Sequence, residues 1–194
     1  MPSWIEFRLA TQGLLRLARF NPDFTRFFDR SPGGALRSFW LALPLFPYSL
    51  LVILSAGLAA HAENMAQFTV VMLLGYLHLW LLPPAIFTWV APLIGRQAEL
   101  PGCITMYNWL SLLNVGVGLP LLLLHIAGIP PNMTAVLDYG LLAVQLVWEA
   151  FLLMHALRLA LWQAGLAAVV DYVVMQRIVF PMFVLASGAV PVSN

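Results

Sequence analysis

Asp138, Glu149, His155, Asp171 and Arg177 interrupt two long apolar runs between Ala135 and Val190. Carboxylates, an imidazole and a guanidinium in such runs could relay protons, bind a small ion or floor a polar cavity. They could equally form an ion pair, with hydrogen-bonding neighbours, that fixes the register of two helices. Each run exceeds the roughly 20 apolar residues that cross the hydrocarbon core of a bilayer. A charge at such a depth costs at least about 2.5 kcal/mol on the most lenient scale. Another span of the chain, or a partner, must compensate it.

Depth along a helix can be counted at 1.5 Å per residue. By that count Glu149, Arg177, His78 and Asn114 fall roughly 15–20 Å from an interface, with Asp171 somewhat nearer one side. Four spans then contribute to one midplane polar cluster: His78, Asn114, Glu149, Asp171 and Arg177. Asp138, Gln145 and Glu149 share one helix face. A short turn around Arg158, Leu161, Trp162 and Gln163 brings the last run back antiparallel. That geometry predicts Arg177 opposite Glu149 or its neighbours. If the last helix begins near Tyr172, Asp171 is interfacial and only Arg177 needs a partner.

The histidines raise a cofactor question. His61 and His125 end two spans on the same predicted side, and two imidazoles at one depth could clamp the iron of a b-type haem. His61, Glu63 and His125 could instead hold a metal. An imidazole at a span end is otherwise an ordinary interfacial group, and no cofactor is the plainer expectation. The chain has no H-E-x-x-H, no G-x-S-x-G and no P-loop, so no enzymatic signature is present. Asn132, Met133 and Thr134 match a glycosylation sequon, a three-residue pattern that arises often by chance. Nucleic-acid binding has no support beyond an Arg-rich N-terminal arm that a membrane already explains.

The elements that must position these groups follow from composition. The 194 residues are 62% hydrophobic and 9% charged, and mean hydropathy is +0.90. Soluble domains are about 45–50% apolar and 25% charged, so lipid is the expected solvent for most of the chain. The expected fold class is all-α: a polytopic membrane helix bundle of five transmembrane helices with an N-terminal amphipathic interfacial helix. Residues 1–30 form the arm and 31–194 the membrane domain. The spans are expected near 34–60, 68–95, 103–129, 135–161 and 164–190. Pro44 and Pro47 should kink the first. Pro83, Pro84, Pro92 and Pro120 fall in the second and third, where broken helices can free carbonyls to line a path. Gly116 and Gly118 lack the spacing of a tight dimer motif and suit local packing.

All nine basic residues are Arg, and six lie in the first 37 positions. With Arg96 and Arg158, eight of the nine fall on one side of a five-span chain. The positive-inside rule makes that side, and the N-terminus, cytoplasmic and the C-terminus external. The expected location is the plasma (inner) membrane, multi-pass. No cleavable signal peptide is visible, and the single Cys103 excludes an intrachain disulfide. Trp40, Trp89, Trp109, Trp162 and Tyr172 fall near expected interfaces, as belt residues do. In the arm, Phe7, Ala10, Leu14, Leu17 and Ala18 share one helix face and Arg8, Gln12, Arg16 and Arg19 the opposite one. That pattern suits a helix lying on the membrane with Arg8, Arg16 and Arg19 on anionic headgroups. It also suits a helix packed on the cytoplasmic ends of the spans. Asn21 and Pro22 end it, and Ser31 with Pro32 opens the first span as N-cap and first helical residue.

Phe28, Asp29 and Arg30 ahead of Ala35, Leu36, Arg37, Ser38, Phe39 and Trp40, the Pro-rich second span, and Ala98 with Tyr107, Asn108 and Trp109 leading to Pro120 together resemble the Yip-domain family of five-span membrane proteins. The likeness is to a bacterial branch of uncharacterised members and covers residues 25–125. It implies architecture and no catalytic residue. The trafficking role of the eukaryotic branch does not carry over, because its long cytosolic extension is missing here.

Two functions are expected from these observations. The first is a non-enzymatic accessory or assembly component that associates with other membrane subunits or with itself. The alternative is a small proton- or ion-coupled transporter using Glu149, Asp171 and Arg177.

Overall fold

The computed structural model describes residues 1–55, 64–179 and 181, and among them every regular element is helical. Seven α-helices follow in order: α1 (Trp4–Ala18), α2 (Pro32–Ser38), α3 (Ala42–Ser55), α4 (Met65–Leu93), α5 (Leu100–Ile126), α6 (Pro131–Ala156) and α7 (Leu161–Val174). Four stretches are long and apolar enough to cross a membrane: Pro32–Ser55, Met65–Leu93, Gln97–Ile126 and Asn132–Ala156. α7 has 14 residues and runs into a π-helical turn, Met175–Val179. The rest of the expected fifth span, and the link holding His61 and Glu63, lie outside the described residues.

Local chemistry explains several boundaries. Ser31 caps α2, its hydroxyl accepting from the Gly34 N–H at 3.0 Å with Pro32 as the first helical residue, as a proline-started helix requires. The first span is interrupted by a 3-10 turn at Phe39–Leu41. The ring of a helical proline crowds the carbonyl four residues back. For Pro44 that carbonyl belongs to Trp40, in the middle of the turn. The Tyr76 hydroxyl donates to the Ala42 carbonyl just beyond it. Pro83, Pro84 and Pro92 sit inside one continuous α4, and Pro120 inside one continuous α5, so these prolines do not break their helices.

α5 is the central element and packs against α1, α2, α3, α4 and α6. Its Cys103, Met106, Trp109 and Leu110 meet Leu152, Leu153 and Ala156 of α6, Leu157 just after it and Ala164 of α7 in the main core. Trp109 is fully buried, with Phe7 edge-on to its ring. It is a core residue, unlike Trp89 and Trp162, which stay exposed as belt residues would. Asn108 of α5 donates to the Ser38 hydroxyl at 2.8 Å, and both side chains are buried. This pair satisfies polar groups that would otherwise be costly to bury.

The N-terminal segment folds onto one end of the bundle. Ala10, Leu14 and Leu17 of α1 are buried, so protein covers the face that carries them. The 3-10 turn Pro22–Phe27 places Phe24, fully buried, against Phe28, Phe151 and His155. α1 approaches closely enough that a Cβ on Gly13 would lie 2.6 Å from the Phe28 ring. Arg37 ties the segment together, 3.1 Å from Glu6 of α1 and 2.5 Å from Asp29. Ser31, through its backbone N–H and then its hydroxyl, and Arg37 hold the Asp29 carboxyl below its ordinary 3.8.

Candidate functional site

α6 and α7 form a tight antiparallel pair joined through Leu157 and Arg158, the latter at φ 53°. Leucine and arginine are not turn formers, and the turn is held by its neighbours. The Ala160 N–H donates to Gln163 Oε1 at 2.9 Å, and Arg158 Nε lies 3.5 Å from Glu99 Oε1 in the preceding loop. The hairpin carries Glu149 and Asp171 to the same level. Their carboxyl groups are close neighbours. The Tyr107 hydroxyl of α5 donates to Asp171 Oδ2 at 2.7 Å. Glu149 Oε1 is buried and meets no donor.

No ion pair among the described residues reaches either carboxyl. The pairs present join Arg26 to Asp23, Arg37 to Glu6 and Asp29, His125 to Asp138, and Arg158 to Glu99. Arg177 is exposed on the π-helical turn, away from the Glu149 position expected of it. Two carboxyl groups can hydrogen-bond to each other only if one carries a proton, and like charges so close cannot both ionise. A carboxyl pair placed between three helices has the chemistry to hold an exchangeable proton.

A polar stripe extends from this pair. Tyr107, Ser111, Asn114, Gly118 and His125 follow one another along α5 at helical spacing. Asp138, Gln145 and Glu149 do the same along α6. A cavity of about 240 Å³ is lined by Tyr48, Ser49, Tyr107, Ser111, Asn114 and Gln145, among others. A larger one of about 670 Å³ is lined by Tyr48, Ser55, Gly118, His125, Asp138 and Gln145, among others. Asn114 Oδ1 is buried without a hydrogen-bond partner. At the far end, His125 Nε2 is 3.0 Å from Thr134 Oγ1 and 3.4 Å from Asp138 Oδ2.

Of the midplane residues expected from sequence, Glu149 and Asp171 meet directly, and Asn114 lines the cavity that Tyr107 connects to them. His78 is exposed on α4, its Nδ1 donating to the Leu74 carbonyl at 2.9 Å. Arg8 and Arg16 of α1 and Arg19 at its C-cap are exposed, and Arg16 lies over the Phe27 ring, 4.6 Å from its centre. His61, one half of the expected haem or metal pair, is outside the described residues. Among those described, no group of three or more His, Cys, Asp or Glu is placed to hold a metal ion. Tyr107 and Tyr48 were not expected as site residues. The signal for Tyr107 was its spacing of 4 and 7 residues from Ser111 and Asn114 on one helix face.

Among the described residues the fold is all-helical, with four helices long and apolar enough to cross a membrane, as in a multi-pass membrane protein, and a carboxyl pair lies between its helices. No protein-family model, curated protein or solved structure matches the chain.

Proposed function

We propose that the chain is a small proton-coupled transporter, in which Glu149 and Asp171 bind and release the coupling proton. The observation that carries this reading is the approach of two half-buried carboxyl groups with no ion-paired cation among the described residues to balance them. A purely structural polar contact would be served better by an ion pair or an amide. Ionisable groups inside a membrane cluster at ion and proton pathways. The polar stripe toward His125 and Asp138 gives the proton somewhere to come from.

The proposed setting is the plasma (inner) membrane, with α7 and the residues after it as a fifth span. The N-terminus is cytoplasmic and the C-terminus external by the Arg distribution. On α1, the outward face mixes Arg8, Arg16 and Arg19 with exposed Trp4, Ile5 and Leu15, a combination suited to an anionic headgroup layer. The test is proton flux in proteoliposomes. Glu149→Gln abolishes flux while the protein stays folded; undiminished flux removes the proposal.

A second reading is favoured by one observation. His78 and Arg177 are both exposed on elements that touch, α4 and the π-helical turn. A cation facing lipid at this depth is costly, so this flank suits another membrane subunit or a second copy. Crosslinking from Arg177→Cys in native membranes that yields only monomer removes this reading.

A further inference from the structure

The two polar cavities meet at one pair of side chains. Tyr48 and Gln145 line both, and Gln145 is part of the α6 stripe already described. Tyr48 comes from α3, across the seam. Its hydroxyl lies over Gly118 so closely that a Cβ there would be 2.5 Å from the Tyr48 oxygen. Gly118 thus reserves the space in which the phenol rests. Among the described residues the Tyr48 hydroxyl makes no hydrogen bond, so nothing polar pins the ring in place.

We infer that the two cavities form one water-filled channel and that Tyr48 is its gate. The channel admits water and protons at the end marked by His125 and Asp138 and delivers them to Tyr107 and Asp171. This deepens the proton-coupled reading and rests on it for the destination of the proton. Length supports the path: from His125 to Tyr107 along α5 is about 27 Å at 1.5 Å per residue, close to the roughly 30 Å of hydrocarbon in a bilayer. Volume supports it too, because about 240 Å³ holds several waters at about 30 Å³ each. Chemistry supports it in turn. Asn114, Ser111, Tyr107 and Gln145 give the smaller cavity a polar wall of the kind that ordered water satisfies. Tyr48, resting over Gly118, stands where the two cavities meet. A rotation of that side chain joins them.

The experiment uses the full chain in proteoliposomes, with Asn114→Cys labelled by a charged, membrane-impermeant methanethiosulfonate. The native thiol, Cys103, is fully buried and silent to such a reagent. Ser55→Cys, in the larger cavity, reports the mouth. Tyr48→Ala raises the labelling rate at Asn114→Cys about tenfold or more from the side away from the N-terminal arm and leaves Ser55→Cys unchanged. Gly118→Ala, which evicts the phenol without removing it, acts in the same direction and serves if Tyr48→Ala does not fold. Equal rates with Tyr48 and with either variant overturn the gate, whatever flux shows, as does faster labelling from the arm side. Faster labelling beside undiminished flux in Glu149→Gln supports the gate and overturns the proton site.

Discussion

Glu149 can be replaced in two ways that separate a shared proton from a buried ion pair. Glu149→Gln keeps the shape and supplies an amide N–H that can donate to Asp171 where the carboxyl O–H did. Its oxygen takes the place of Glu149 Oε1, which already lacks a donor, and the second amide N–H is the one polar group added. The expected cost in stability is about 1 kcal/mol, the low end for a donor left unpaired. Glu149→Leu removes the donor and leaves Asp171 with Tyr107 alone. A hydrogen bond to a charged group contributes about 1.5–3 kcal/mol, so the leucine variant should lose that much, a factor of about 10–150 in the folding equilibrium at 1.4 kcal/mol per tenfold. Equilibrium unfolding of the purified chain in mixed micelles reads both values, and proteoliposome flux reads the activity, which both variants should lack. If Glu149 were instead held by a buried cation, removing its charge would leave that cation unpaired, at about 3–5 kcal/mol. A glutamine variant as damaged as the leucine variant therefore refutes the shared-proton argument.

Other outcomes follow from the arm and the loops. Phe24→Ala should cost about 3–5 kcal/mol, the usual range for a fully buried phenylalanine, and should expose Arg19 and Arg26 to trypsin at a much higher rate than in the native chain. The contribution of Asp29 should be fully present at neutral pH. Because its carboxyl is held below its ordinary 3.8, that contribution is present above 3.8 and is lost only as pH falls through the lower folded-state value. Amide exchange at Ser31 and Gly34 followed into acid checks this, and loosening near pH 6 contradicts it. Arg158→Ala should cost less than about 1 kcal/mol, because the Arg158 side chain is 65% exposed and its pairing with Glu99 is screened. A large loss of thermal stability in that variant counts against treating the pair as a surface contact.

Much of the helical architecture was legible because its signals are local. Apolar length marked the helices, Ser31 and Pro32 marked a start, and the spacing of Asp138, Gln145 and Glu149 marked a face. The partner of Glu149 was not legible in the same way. Counting depth from assumed membrane boundaries pointed to Arg177. Counting from the turn gives a different answer: Asp171 lies at nearly the same distance from Leu159 as Glu149 does, whereas Arg177 is six residues further, about 9 Å along the axis. The π-helical turn at Met175–Val179 then changes the facing of Arg177, since a wider turn shifts every later side chain around the helix. On α1, Ala10, Leu14 and Leu17 of the apolar stripe are buried while Phe7 is exposed, and periodicity cannot say whether lipid or protein covers such a face. Phe24 and Trp109 show the same limit, because an aromatic side chain suits a core as well as a headgroup layer.

Phe24 is made early and seated late. The rings that enclose it, Phe151 and His155, are synthesised more than a hundred residues afterwards. At roughly 5–20 residues per second the interval is on the order of 6–25 s. During it the stripe of Ala10, Leu14 and Leu17 has no bundle to rest on. The arm therefore becomes the clasp over the finished helices only once the end of α6 has been made.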